Sequence, residues 1–158
     1  MDKKLVVYFS ASGVTKAVAE KLAKAAECDI FEIRPAVLYT EADLDWRDKT
    51  SRSTVEMANH DFRPPMAEDE IDVAPYDTVY VGFPIWWYIA PTIINTFLEK
   101  YNWCGKKIVL FATSGGSGWG NTVEKLKNSC KGAQIVEGRI FPVSVTEEEL
   151  ALWSAEIC

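Results

Sequence analysis

Three short stretches carry the residues best suited to holding a small molecule. The first is Ser10-Ala11-Ser12-Gly13-Val14-Thr15. Three hydroxyls and a glycine just before a helical pattern make an anion site, because unpaired N–H groups and the positive end of the helix dipole converge at a helix N-terminus. The turn has no lysine. A neutral cradle suits a phosphate monoester that stays bound, whereas phosphoryl transfer needs the Lys and Mg²⁺ of a P-loop. The competing reading is an ordinary Ser/Thr helix cap.

The second stretch is Phe83-Pro84-Ile85-Trp86-Trp87-Tyr88-Ile89-Ala90-Pro91. Neighbouring side chains diverge, so three consecutive large aromatics cannot all enter one core, and at least one is expected to be exposed or to cover a ligand. Trp86, Trp87 or Tyr88 could stack on a planar heterocycle, or the loop could cover a satellite cluster or an oligomer contact. The third stretch is Thr113-Ser114-Gly115-Gly116-Ser117-Gly118-Trp119-Gly120. Glycines permit positive φ and close backbone approach, so main-chain groups would read the edge of a ligand there.

Other chemistries lack their residues. His60 is the only histidine, which removes zinc sites built on His pairs, and no metal is expected. Cys28, Cys104, Cys130 and Cys158 are scattered without a C-x-x-C, so reduced thiols and a cytoplasmic location are expected. A phosphatase thiolate would need a cysteine within Ser10–Thr15, and a phosphorylated receiver domain would need clustered acids after the first strand; neither is present. The net charge of −6 argues against nucleic acid. No apolar run reaches the ~20 residues that span a bilayer, so no membrane insertion is expected.

The elements that must position these stretches follow from periodicity. Leu5–Phe9, Thr78–Phe83 and Lys107–Thr113 are continuous apolar runs of the kind found in central parallel strands covered on both faces. Asp29–Arg34 reads as a second strand ended by Pro35, and Ile135–Val145 as a fifth with a possible break at Gly138 or Pro142. Helices are expected over Val14–Ala26, with Val14, Val18 and Leu22 on its buried stripe, over Pro91–Tyr101, and through Val123, Leu126 and Cys130. A last helix follows the capping-box spacing of Thr146 and Glu149. Between Ala36 and Pro75 the sequence is polar and mixed, and partial helix is expected over Thr40–Ala58. The alternation gives a single α/β domain spanning residues 1–158, a three-layer sandwich around a five-stranded parallel sheet, expected in one of the common doubly wound orders, 2-1-3-4-5. In that order strands one, three and four lie side by side, so one ligand beyond their carboxyl ends could touch all three stretches.

On these residues the sequence resembles the flavodoxin family, whose strand order and ligand position are the standard illustration of that rule. Ser10-x-Ser12-Gly13-x-Thr15 looks like the family's T/S-x-T/S-G-x-T loop, which holds the phosphate of FMN. Pro84–Pro91 resembles its second flavin loop and Ser114–Gly120 its third. The resemblance implies phosphate binding by Ser10, Ala11, Ser12, Gly13, Val14 and Thr15, and ring contacts from Pro84, Ile85, Trp86, Trp87 and Tyr88. It implies backbone contacts to the ring's polar edge from Ser114, Gly115, Gly116 and Gly118. Two features depart from the pattern. Residues 83–91 lack the glycine whose peptide flips toward the reduced ring in many flavodoxins, and the long 36–75 connection has no residue-by-residue counterpart.

The resemblance implies an FMN-binding carrier that shuttles low-potential electrons between redox enzymes, the flavin doing the chemistry with no catalytic side chain. Its acidic surface would favour redox partner proteins with basic docking patches. The chain is expected to be a monomer or weak dimer. The alternative is an enzyme of the same fold, a NAD(P)H-dependent FMN or quinone reductase, in which the 36–75 segment and Trp46 shape a second substrate site.

Overall fold

The computed structural model describes residues 3–68, 70–114 and 118–157. Five parallel strands, β1 (Lys4–Tyr8), β2 (Asp29–Glu32), β3 (Thr78–Pro84), β4 (Lys107–Thr113) and β5 (Gln134–Ile140), form one sheet in the order β2-β1-β3-β4-β5. The α-helices are α1 (Val14–Ala25), α2 (Arg52–Met57), α3 (Thr92–Lys100), α4 (Thr122–Lys127) and α5 (Glu147–Ile157). The alternation of strands and helices that the periodicities predict is present, and the strand order is the flavodoxin-like one that the resemblance implies.

Side chains along a strand alternate between faces, and β1 divides its apolar residues accordingly. Leu5, Val7 and Phe9 join Val79, Val81, Phe83, Ile108 and Leu110 in a core closed by Ile93, Ile94, Phe97 and Leu98 of α3 and by Leu126 of α4. Val6 and Tyr8 join Tyr80, Val109 and Phe111 on the other face, closed by Val18 and Leu22 of α1 and by Leu150 and Trp153 of α5. Both faces of the central strands are dry, which is why they read as uninterrupted apolar runs. The edge strands are more exposed, Ile30 of β2 included.

Several boundaries differ from the sequence expectation for local reasons. The break expected at Gly138 is a register shift between Leu110 and Phe111 of β4, where a Cβ on Gly138 would lie 2.0 Å from the Leu110 carbonyl oxygen. β5 then stops at Ile140, short of Val145. One half of the capping box at α5 forms, the Thr146 hydroxyl accepting the Glu149 N–H at 3.1 Å, while the Glu149 carboxylate accepts from that same hydroxyl at 3.2 Å. On α1, Val14 is exposed rather than on the buried stripe, and Thr15 is buried in its stead.

The partial helix expected over Thr40–Ala58 is present as one 3₁₀ turn at Ala42–Leu44 and the six-residue α2, too little to order the 36–75 segment. Order comes instead from its closure on itself. Pro35 bridges Met66, the Ala36 N–H donates to the Pro65 carbonyl at 2.9 Å, and the Ala67 N–H donates to the Arg34 carbonyl at 2.8 Å. A second tie is the fork of Arg63 on Glu99 of α3, at 2.9 and 3.0 Å. Among the described residues no helix is long and apolar enough to cross a membrane.

Candidate functional site

The carboxyl ends of β1, β3 and β4 point the same way and release the three stretches side by side. Thr113, the last residue of β4, joins them. Its hydroxyl lies 2.7 Å from that of Thr15, in a buried contact across 98 residues of sequence, and its carbonyl accepts the Ile85 N–H at 2.9 Å. Thr113 is itself the first residue of the third stretch. One threonine therefore fixes the spacing of all three loops.

In the first loop Gly13 is the N-terminal residue of the α1 cap, at φ +94°, where a side chain would be strained. Its N–H donates to Ser10 Oγ at 3.0 Å. No side chain caps α1 and no acidic residue lies in its first turn, so the ordinary Ser/Thr cap is not what the structure shows. The first N–H groups of a twelve-residue helix stay open to an anion, with exposed Ser12, Gly13 and Val14 at the mouth, Ser10 and Ala11 half-buried, and exposed Lys16 on the first turn. The Thr15 hydroxyl faces inward to Thr113, so its first role is joining loops.

The second loop separates its aromatics. Ile85 is buried and Pro84 half-buried. Trp86 N–H donates to the Ile89 carbonyl at 2.9 Å, and the Ile89 N–H returns to the Trp86 carbonyl at 3.2 Å, closing a two-residue turn over Trp87 and Tyr88. Both turn residues are left-handed, at φ +50° and +65°, a conformation usually left to Gly or Asn in such turns. Their side chains are 43% and 59% exposed, so two of the three aromatics face solvent at the mouth of the sheet. Trp86 packs inward, edge-to-face with Phe9 at 5.8 Å and with Tyr39 at 5.6 Å. The missing glycine thus does not mean a missing left-handed backbone.

The turn is held from the third stretch. The Asn121 N–H donates to the Tyr88 carbonyl at 3.2 Å, and Thr122 Oγ1 donates to the Trp119 carbonyl at 2.5 Å. Gly120, at φ +50°, lies so close that a Cβ would meet the Tyr88 oxygen and Cβ at 2.5 Å. Ser114 is half-buried, while Gly115 and Gly116 lie outside the described residues. Gly118 has open space around its Cβ position and no positive φ, so the glycine requirement falls on Gly120, which the sequence did not single out. Trp119 stands edge-on to Phe83 at 6.3 Å.

Tyr39 is the other residue the motifs missed. It comes from the 36–75 segment, which has no motif to flag it, and reaches the site through contacts with Phe9 and Trp86. Burial, and after it the hydrogen bond to Glu56, push its phenol pKa well above the ordinary 10.0. Trp46, by contrast, is 67% exposed and stacks with Arg47 at 5.3 Å.

Comparison with known proteins places this geometry. The family model described as Flavodoxin matches residues 3–157. A candidate flavoprotein from Bacteroides eggerthii is 44% identical, with a TM-score of 0.91, covering 99% of this chain and 98% of its own. Another from Bacteroides uniformis is also 44% identical, with a TM-score of 0.91 and 98% of each chain covered. A flavoprotein from Lactobacillus acidophilus, solved in complex with FMN, is 26% identical with a TM-score of 0.70, covering 98% of this chain and 99% of its own. A search of curated proteins gave no match.

Proposed function

The chain belongs to the flavodoxin family, and we propose that it binds FMN and carries electrons between redox enzymes. The observation that carries this reading is Thr113, which ties the open α1 N-terminus, the aromatic turn and the third loop into one site. The residues present fit the group. A phosphate would be held by Ser10, Ser12 and the N–H groups at Val14 and Thr15, since that end of α1 is uncapped and free of acid, with the Gly13 N–H fixing Ser10 Oγ beside them. Trp86, Trp87 and Tyr88 would supply the flat walls for a ring, with Pro84 and Ile85 beside them, and Ser114 and Gly118 backbone groups for its polar edge. Bound FMN would supply the redox chemistry. The protein's share is to bind it, shape its surroundings and set what approaches.

Charge supports the carrier reading. Residues 36–75 hold ten acidic and four basic side chains, so this segment carries as much net charge as the whole chain's −6 and the remainder balances. An acidic flank next to the aromatic turn favours partners with basic patches, by steering that falls with salt. The relative solved with FMN supports the choice of cofactor.

The purified protein is expected to be yellow, or to become so on titration with FMN at one equivalent. A colourless protein that takes up no FMN overturns the reading. Mixing the loaded protein with NADPH or NADH and a quinone in a stopped-flow instrument separates carrier from reductase: slow bleaching without turnover is expected, and sustained turnover favours the reductase.

A further inference from the structure

We propose that Tyr39, clamped by Arg52 and Glu56, is a positioning residue that sets the aromatic wall of the flavin site through Trp86. The inference rests on the FMN reading above. Phe9, Tyr39 and Trp86 form a closed triangle of edge-to-face rings, with centroids 5.7, 5.6 and 5.8 Å apart and interplanar angles of 67°, 73° and 88°. Phe9 directly precedes the phosphate loop, and Trp86 opens the left-handed turn. Tyr39 therefore touches the residue just before the first loop and a residue within the second, from a segment that belongs to neither.

Its own placement is over-determined. The Arg52 guanidinium carbon lies 3.8 Å from the centre of the Tyr39 ring. The same guanidinium donates to the carbonyls of Val37 and Leu38 at 2.7 and 3.3 Å, fixing the backbone just before Tyr39, and pairs with Glu56 at 3.0 Å. Glu56 in turn accepts the Tyr39 hydroxyl. The side chains of Arg52 and Glu56 are only 21% and 10% exposed. Desolvating an ion pair to this degree is weak evidence for stability, since an apolar replacement often serves the fold as well. Here the pair and the phenol hold one ring in one orientation, and that ring meets Trp86. A planar fork that stacks, pairs and reaches two carbonyls at once is a task for arginine and not for lysine.

The effect should fall on the ring of the flavin and not on its phosphate. Tyr39→Ala is expected to raise the dissociation constants of both FMN and riboflavin by about tenfold, the upper end for loss of an aromatic wall contact. The ratio of the two constants, which reports the phosphate alone, should stay at its wild-type value. The visible band of bound FMN should shift in shape. Tyr39→Phe keeps the ring edges and should restore affinity and spectrum nearly to wild type, whereas Arg52→Lys should not. Wild-type affinity for both flavins and an unchanged spectrum in folded Tyr39→Ala would overturn the proposal, as would a changed FMN-to-riboflavin ratio. If Tyr39→Ala does not fold, Arg52→Ala is judged by the same criteria. A wild-type protein that binds neither flavin defeats the FMN reading itself, a distinct outcome that takes the proposal with it.

Discussion

Two left-handed turns stand beside each other at the mouth of the sheet, and they are built on opposite principles. At Gly13 the chain supplies the residue that the backbone wants, in open space, and the loop before α1 would adopt this shape with little help. At Trp87 and Tyr88 it places two large aromatics in the same region of φ, against their intrinsic preference by roughly 1–2 kcal/mol per residue. That strain persists because neighbours over-determine it: the Trp86–Ile89 pair closes the turn, and Asn121 holds the Tyr88 carbonyl. The first turn leaves the α1 N-terminus without a side-chain cap, and an uncapped helix start needs only backbone. The second must present two rings outward while a third packs inward, and that needs side chains where a glycine would offer none.

The comparison can be broken most severely from behind the second turn. Gly120→Ala adds a Cβ at φ +50° and 2.5 Å from the Tyr88 oxygen, combining left-handed strain with overpacking. A loss of about 3 kcal/mol is expected from urea unfolding of the apoprotein. Disturbing the first turn by charge should leave stability nearly intact and strike the ligand. Ser12→Asp puts a carboxylate at the exposed mouth of the α1 N-terminus, and FMN affinity should fall at least ~100-fold, or about 2.7 kcal/mol, by fluorescence titration. Unchanged affinity would show that the phosphate sits elsewhere.

A smaller pair of changes sharpens the contrast between the turns. Gly13→Ala should destabilise by about 1–2 kcal/mol, whereas Tyr88→Gly should stabilise by up to about 1 kcal/mol, because it relieves more left-handed strain than glycine adds in chain entropy. Tyr88 is 59% exposed, so little burial is lost. The opposite signs, read as melting temperatures of the apoproteins, are the test. If Tyr88→Gly destabilises, the turn is held by its side chain and not in spite of it.

The smallest effect belongs to the strap that returns the 36–75 segment to α3. The Arg63 hydrogen bond lowers the Glu99 pKa below its ordinary 4.5 by more than partial burial raises it, and Ser129 adds a further lowering contact. A depressed carboxylate contributes stability above its unfolded pKa and loses it as pH falls through the folded one. Wild type should therefore lose slightly more stability than Arg63→Ala between neutral pH and the acid side of the carboxylate range. Unfolding midpoints at the two pH values would show parallel losses if the pair is fully screened.

Much of the architecture was legible because local pattern and tertiary role coincide. Leu5–Phe9 and Lys107–Thr113 read as buried strands since both their faces are covered, and the hydroxyl-and-glycine loop lies at a helix start because sequence places it between a strand and an amphipathic run. The buried position of Thr15 was less legible, as was the exposure of Val14, because one helical register decides which of two neighbours meets Thr113. Nothing around Tyr39 announces a site residue. Its partners Arg52 and Glu56 lie 13 and 17 positions away, and Trp86 lies 47 away. The left-handed Trp87 and Tyr88 were illegible for the opposite reason, since local preference speaks against them.

By itself the sequence determined the alternation of strands and helices, the two-faced burial of the central strands and the glycine at the start of α1, because periodicity and glycine placement act over a few residues. Tertiary structure alone decided which aromatic turns inward, that Gly120 and not Gly118 must lack a side chain, and that a threonine at the end of β4 sets the spacing of three loops. Those choices depend on contacts between residues tens of positions apart, whose energies exist only once the sheet has brought the strand ends together.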